Sequence, residues 1–267
     1  MWIDTHCHLD AHEFGAESLD VARRAGELGV SMIVIPAFER GNFEVVRDLA
    51  ARAPNASYAL GIHPIFVPQA RDEDLDALRA AVEASLGDPR FVAIGEIGLD
   101  FFIPLLCEPD MRARQERFFR EQLRIARDFD LPVLTHVRRS QDQVLKHLRQ
   151  IRPPGGIAHA FNGSFQQAQH FIDLGMHLGF GGAMTFTRAL QIRRLAAELP
   201  LDSIVLETDA PDISPAWVHP GRNSPEQLPA IGRALAGLRG VDEELVRVAT
   251  QRSALAAIPR LGTLSAS

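Results

Sequence analysis

Histidines and carboxylates recur along this chain in one setting, directly after short apolar runs. The first group lies in the segment Asp4-Thr5-His6-Cys7-His8, near the N-terminus. Strand alternation predicts that Asp4, His6 and His8 share one face. Five later apolar runs end in further groups of this kind, namely His63, Glu96 with Asp100, His136, His159, and Glu207 with Asp209.

These side chains favour a metal centre. Charged groups and imidazoles are costly in strand interiors unless they are paired or bound to a metal. Imidazole and carboxylate together suit divalent ions, here Mg, Mn, Zn or Ni. We predict two divalent metal ions with six protein ligands, namely His6, His8, Glu96, His136, His159 and Asp209. The alternative is a set of unrelated core polar groups, each satisfied by its own hydrogen bond.

The ligand that bridges the two ions is predicted from the scarcity of lysine in this chain. In many barrel metallohydrolases a carboxylated lysine bridges the metal pair. The only lysine of this chain, Lys146, lies in a segment with helical spacing and is expected to be solvated. Glu96 is therefore the predicted bridge, with one carboxylate oxygen for each ion.

The elements that must position these residues alternate regularly. Strands are predicted at 2–8, 31–37, 57–63, 91–98, 132–137, 156–161, 176–181 and 203–208. Helical spacing follows at 17–28, 43–52, 72–86, 111–129, 141–151, 165–174, 190–199 and 225–238, with an extra C-terminal helix at 242–258. Eight strand–helix units predict parallel pairing in an α/β fold, a single (β/α)8 TIM barrel over residues 1–267. An open, doubly wound sheet is the alternative.

Composition narrows the class of protein. The formal net charge of −6 argues against a protein that coats nucleic acid through bulk electrostatics. No apolar run reaches the length of about 18 residues that a membrane span requires. Cys7 and Cys107 are too few for a disulfide framework, and no secretory signal is visible. We expect a cytoplasmic protein with neither a membrane nor an obligate protein partner.

Taken together, these motifs resemble the TatD family of metal-dependent hydrolases and deoxyribonucleases, within the amidohydrolase superfamily. The resemblance extends from the Ile3–Asp10 segment to the segment after the eighth strand, through blocks at 61–64, 95–100, 134–138, 159–164, 207–211 and 223–226. It implies a TIM barrel, the same six metal ligands, and hydrolysis of a phosphodiester, typically in DNA. Two features depart from the family pattern, the apolar segment 103–107 and the acidic residue Asp212.

Roles follow for the individual side chains. We assign His6, His8 and Asp209 to one ion, and His136 and His159 to the other, with Glu96 shared. Asp209 is the candidate to receive the proton of the attacking water. The predicted substrate-binding residues are His63, which would face the phosphate or the leaving group, and Arg138, which would contact a phosphate. The residues expected to orient ligating imidazoles are Asp4 and Glu207.

Other reactive residues receive a structural interpretation. Cys7 is predicted to be a buried thiol in the strand–helix layer, and His177 to lie at the opposite end of the barrel. The histidines expected to be solvated are His12, His147 and His170. Trp217 and His219 lie in the loop after the last strand, where packing against the rim or contact with substrate are both open.

Three functions are compatible with this pattern. The first is a deoxyribonuclease or phosphodiesterase that attacks with a metal-bound hydroxide at a two-metal site, with its DNA substrate bound locally. The second is an ester or amide hydrolase, such as an aminoacyl-tRNA deacylase or a lactonase, because the same hydroxide attacks carbonyls. The third is a barrel that only binds metal or a partner, in which case Glu96→Gln changes no activity.

Overall fold

Parallel strands and helices alternate along the chain in the computed structural model, which describes residues 1–264. The strands are β1 (Trp2–Asp4), β2 (Val30–Pro36), β3 (Ala56–Leu60), β4 (Phe91–Asp100), β5 (Val133–Arg138), β6 (Gly156–His159), β7 (Met176–Phe180) and β8 (Ile204–Leu206). They pair in chain order, and every pair is parallel. This order confirms the predicted barrel, because a doubly wound sheet reverses its strand order.

The first and last strands meet through backbone hydrogen bonds just beyond the strand ends. The amide of Thr5 donates to the carbonyl oxygen of Leu206 over 3.1 Å, and the amide of Asp209 donates to that of His6 over 2.9 Å. The bonds that close the barrel therefore run between the two segments that carry His6 and Asp209.

Helices surround the sheet as predicted. They are α1 (Ser18–Glu27), α2 (Phe43–Arg52), α3 (Glu73–Ser85), α4 (Pro109–Asp128), α5 (Gln141–Ile151), α6 (Phe165–Ile172), α7 (Leu190–Glu198), α8 (Leu228–Arg239), α9 (Glu243–Ala257) and α10 (Leu261–Leu264). The predicted C-terminal helix is α9, and α10 follows it. Over the described residues, none of the helices is long and apolar enough to cross a membrane. The last three residues of the predicted domain, 265–267, lie outside the described part.

The barrel interior contains an apolar cluster to which seven of the strands contribute. Its strand residues are Ile3, Met32, Val34, Ala59, Val92, Ala93, Leu134, Ile157 and Val205. The C-terminal helices add Ala254, Ala257, Ile258 and Leu261 to the same cluster. Arg260 holds this C-terminal segment in place, because its guanidinium donates to the carbonyl oxygen of Phe91 at the start of β4 and to those of Leu86 and Asp88 just before it. The N-terminal end of the barrel is therefore closed.

The first strand departs from the predicted alternation. It ends at Asp4, and Ile3 rather than Asp4 packs in the inner cluster. The chain beyond Asp4 is irregular, which allows His6 and His8 to reach the other end of the barrel while Cys7 packs in the strand–helix layer. Cys7 is fully buried, as predicted.

Candidate metal centre

The Glu96 carboxylate lies at the centre of the polar end of the barrel. Its Oε2 is 3.1 Å from Nε2 of His6 and 3.6 Å from Nε2 of His8. Its Oε1 is 2.9 Å from Nδ1 of His136 and 3.3 Å from Nε2 of His63. Each oxygen of this buried carboxylate thus faces a different pair of imidazoles, which is the arrangement expected of a bridging ligand.

The close approach of β4 to β5 at Gly98 positions the Glu96 carboxylate. Gly98 lies between Glu96 and Asp100 at a φ of +149°, and a Cβ there would come within 2.1 Å of the carbonyl oxygen of His136. Only glycine permits that approach. In the register of β4 and β5, Gly98 stands beside His136 and Asp100 beside Arg138.

His6 and His8 converge with their Nε2 atoms 3.3 Å apart. Asp209 lies beside them, its Oδ1 being 3.8 Å from Nε2 of His6 and 3.9 Å from Nε2 of His8. Asp4 does not orient an imidazole, contrary to the expectation from the sequence. Its carboxylate accepts from the hydroxyl and amide of Thr208 and from the backbone amide of His6, so it fixes the closing segments instead.

His159 lies closer to the His6 group than to His136. Its ring stacks on that of His6 with centroids 3.7 Å apart, whereas the centroid of His136 is 6.5 Å away. Its Nε2 is 3.6 Å from Oδ1 of Asp209. Glu207 lies 3.1 Å from Nδ1 of His159, the position expected of a residue that orients a ligand. Gly179 makes room for Glu207, because a Cβ at Gly179 would lie 2.2 Å from Oε2 of that carboxylate.

His63 lies in the centre but carries a hydrogen bond that argues against metal ligation. The amide of Ile65 donates to its Nδ1 over 3.1 Å, so the neutral ring carries its proton on Nε2. A metal ligand needs that nitrogen unprotonated. The Nε2–H of His63 therefore acts as a donor inside the centre, 3.1 Å from Nδ1 of His136 and 3.3 Å from Oε1 of Glu96.

Asp100 is a site residue for which no role was predictable from the motifs alone. Its Oδ2 is 3.0 Å from Nε2 of His136, the ring nitrogen that faces away from Glu96. Its Oδ1 accepts from the amides of Phe102 and Ile103. Strand alternation from Glu96 through Gly98 to Asp100 is the signal that places it on the same face.

The buried charges shift one another's pKa values. Burial opposes ionisation of Glu96, but electrostatic interactions with His63 and His6 and the hydrogen bonds from His136 and His6 outweigh it, and the pKa of Glu96 lies well below its usual range. Burial raises the pKa of Asp209 to about 6. Burial also disfavours the charged form of His159, yet the carboxylates of Glu207 and Asp209 raise the pKa of His159 to about 10. The two central carboxylates are thus distinct, with Asp209 the easier one to protonate.

The donor set fits divalent cations. Three groups of side chains bring their nitrogen and oxygen atoms within 4.8 Å of one another, namely His6, His8 and Asp209; His6, Glu96 and His159; and His63, Glu96 and His136. In the third group the hydrogen bond from Ile65 to His63 leaves Glu96 and His136 as the candidate ligands. Converging imidazole nitrogens and carboxylate oxygens of this kind suit Zn, Mn, Ni or Mg. All six predicted ligands lie in these groups, and Glu96 belongs to two of them.

The remaining residues lie outside the centre. Arg138 is at the rim, half exposed, with its guanidinium 3.8 Å from Oδ2 of Asp100. The prediction that His147 is solvated is wrong, since its ring is buried between α4 and α5 and its Nε2 lies 2.9 Å from Oε2 of Glu116. Trp217 donates from its indole nitrogen to Gln227, and His219 packs edge-on against Phe186.

Comparison with known proteins places this arrangement among metal-dependent hydrolases. The family described as TatD related DNase matches residues 3–258. The uncharacterized metal-dependent hydrolase YjjV of Escherichia coli is 40% identical over 89% of this chain and 90% of its own length. The crystal structure of that TatD homologue superimposes with a TM-score of 0.90, covering 97% of this chain and 98% of that one at 37% identity. The 3'-5' ssDNA/RNA exonuclease TatD of Salmonella typhimurium is 31% identical over 94% of this chain and 96% of its own length.

Proposed function

Because the chain belongs to the TatD family of metal-dependent hydrolases, we propose that it hydrolyses phosphodiester bonds in DNA ends or single strands. The observation that carries the proposal is the Glu96 carboxylate, whose two oxygens each face a separate pair of imidazoles. That geometry suits two divalent ions with one shared ligand. The name of the Salmonella relative, an exonuclease of single-stranded DNA and RNA, supports the choice of substrate.

The ligands divide into two sets around Glu96. His6, His8 and Asp209 would hold one ion and His136 the other. His159, which the sequence analysis assigns to the second ion, lies instead beside His6 and Asp209. Divalent ions bound there supply Lewis acidity toward a phosphoryl oxygen and lower the pKa of water. Glu207 and Asp100 keep the rings of His159 and His136 in place through their second nitrogens.

Two side chains act on the reacting groups, and a third contacts the substrate at the rim. Asp209, with its raised pKa and a side chain that is 14% exposed, takes the proton of the attacking water. The Nε2–H of His63 donates a hydrogen bond to the phosphate or the leaving oxygen. The guanidinium of Arg138 contacts a phosphate oxygen from the rim.

A metal-dependent cleavage assay tests this proposal. Purified protein with Mn²⁺, Mg²⁺, Zn²⁺ or Ni²⁺ should shorten a labelled single-stranded oligonucleotide, and EDTA should stop the reaction. Glu96→Gln should remove the activity, whereas Glu116→Gln, at the carboxylate paired with His147 outside the centre, should retain it. An oligonucleotide that stays intact with every metal refutes the proposal. Turnover of a lactone or an aminoacyl ester under the same conditions would then support carbonyl hydrolysis instead.

A further inference from the structure

The rim of the barrel mouth beside His136 carries arginines stacked on two adjacent phenylalanines. The guanidinium carbon of Arg138 lies 3.8 Å, and that of Arg139 4.7 Å, from the ring centroid of Phe102. The guanidinium carbon of Arg112, at the start of α4, lies 4.1 Å from the centroid of Phe101. The Phe102 ring is 44% exposed, so this cluster faces solvent. We call Phe102, Arg138 and Arg139, together with Arg112, the rim cluster.

The positive charge of the rim cluster is not balanced locally. Among the described residues, no carboxylate lies within 4 Å of the guanidinium of Arg112 or Arg139. Arg138 has one carboxylate contact, at 3.8 Å to Asp100. The same Oδ2 of Asp100 is also 3.0 Å from Nε2 of His136. Of the three guanidiniums, only that of Arg138 thus has an acid within 4 Å in the described part of the chain, and this excess of positive charge favours binding of an anion.

Arg139 lies in a tight turn directly after β5. Its φ is +54°, in the left-handed region of backbone conformation. The hydroxyl of the next residue, Ser140, donates to the carbonyl oxygen of Leu99 and fixes the turn.

Asp100 connects the rim cluster to the metal centre. One of its oxygens holds the backbone of the Phe102 turn through two amides, and the other faces His136. Arg138 follows His136 by two residues on β5, a separation of about 7 Å between Cα atoms at the rise of an extended strand. That distance is comparable with the spacing of successive phosphates along an extended nucleic-acid strand.

We propose that the rim cluster is a second phosphate subsite, which binds the backbone phosphate next to the scissile one in single-stranded nucleic acid. A guanidinium stacked on an aromatic ring keeps its N–H edge free, and that edge matches two phosphate oxygens. The inference rests on the proposed function for the identity of the ligand. It adds a specificity: oligonucleotides bind more tightly than diesters that have a single phosphate.

Binding without metal tests the subsite apart from catalysis. In a buffer that contains EDTA, the full chain is added to fluorescein-labelled pentathymidylate, and the dissociation constant is obtained from the fluorescence anisotropy. Arg139→Gln should weaken binding about tenfold and reduce the slope of log K against log salt by about 0.7, the value expected when one phosphate of a single strand is no longer neutralised. Arg149→Gln, at the far end of α5 from the rim and exposed, is the matched control and should bind as the wild type does.

Two variants separate the subsite from a general effect on charge. Arg139→Lys keeps the charge without the planar fork and should recover less than half of the lost binding free energy. Phe102→Leu removes the stacking surface and should also weaken binding, while the thermal unfolding midpoint shows whether the fold is retained. Equal dissociation constants for Arg139→Gln and Arg149→Gln overturn the subsite, as does a wild type that does not bind at low salt. Displacement of the oligonucleotide by polyglutamate as effectively as by unlabelled DNA also overturns it.

Turnover distinguishes this inference from the proposed function. With Mn²⁺, Arg139→Gln should lose about tenfold more kcat/KM on the oligonucleotide than on bis(4-nitrophenyl) phosphate, and the difference should lie in KM. Hydrolysis with no such difference refutes the subsite alone. Arginine-dependent binding without hydrolysis in any metal refutes the proposed function and leaves the subsite standing.

Discussion

The two ends of the barrel are built on opposite physical principles although the same strands reach both. At the N-terminal end, side chains from seven strands and from α9 and α10 form an apolar cluster, with Ile258 fully buried. At the C-terminal end, buried carboxylates and imidazoles replace the apolar side chains, with Glu96 at their centre. Burial of apolar surface stabilises the first end, whereas the second confines charges that water would solvate better. The N-terminal ends of the strands therefore contribute stability, and their C-terminal ends contribute the chemistry.

The largest effect should follow from removing the central charge. Glu96→Gln takes away the ligand shared by both sets of imidazoles, so we expect kcat to fall on the order of a thousandfold, equivalent to about 4 kcal/mol. Steady-state hydrolysis of an oligonucleotide with Mn²⁺ measures it. The thermal midpoint should stay close to that of the wild type, and a variant that is unfolded would contradict the separation between the two ends.

A substitution at the closed N-terminal end of the barrel should reduce stability and leave catalysis unchanged. Ile258→Ala opens a cavity at a fully buried position and should lower the free energy of unfolding by about 2–5 kcal/mol. Urea unfolding followed by circular dichroism gives the value. Leu190→Ala, at a residue that is 75% exposed, is the matched control and should change stability little. An increase in KM for Ile258→Ala at a temperature where it is folded would show that the ends are coupled.

A smaller effect is expected from Glu207, which contacts the predicted metal ligand His159 and is not itself a ligand. Glu207→Gln exchanges the carboxylate beside Nδ1 of His159 for a weaker partner, and removal of such an orienting group weakens metal affinity by about 10–100-fold. Competition with a chromophoric chelator measures the dissociation constant. If Glu207→Gln binds metal as the wild type does, the orienting role of Glu207 is refuted.

The smallest effect concerns an ion pair near the polar end. Glu226 joins Arg24 of α1 over 2.8 Å. Burial opposes its ionisation, but the hydrogen bonds from Arg24 and Ser224 outweigh burial and lower the pKa of Glu226 below its usual value. Since the folded pKa is the lower one, the stabilisation is present above the ordinary glutamate pKa and is lost as the pH falls through the folded value.

Glu226→Gln should therefore lower the free energy of unfolding by about 0.5–1 kcal/mol at pH 7 and by less at pH 4. Urea unfolding at both pH values measures the difference. A double-mutant cycle with Arg24→Gln assigns the loss to the pair. A loss that is equal at the two pH values would exclude ionisation of Glu226 as its cause.

Much of this architecture follows from local sequence patterns. The barrel and the convergence of the six predicted ligands were predictable because charged residues at strand ends are costly, and parallel strands bring their ends to one face. The burial of His147 was not, because it depends on the packing of α4 against α5 and on Glu116, which is distant in sequence. The break in β1 at Asp4 was also hidden, since it is set by bonds to Thr208 across the closing seam.

The position of α9 and α10 in the chain has a consequence for biosynthesis. Helices α9 and α10 follow all eight strands, so Ile258, Arg260 and Leu261 leave the ribosome after every strand of the barrel. Until then the inner cluster faces water at its N-terminal end, and the carbonyl oxygens of Leu86, Asp88 and Phe91 lack the guanidinium that later binds them. The nascent barrel therefore carries exposed apolar surface until α9 and α10 pack against it, and such surface promotes aggregation.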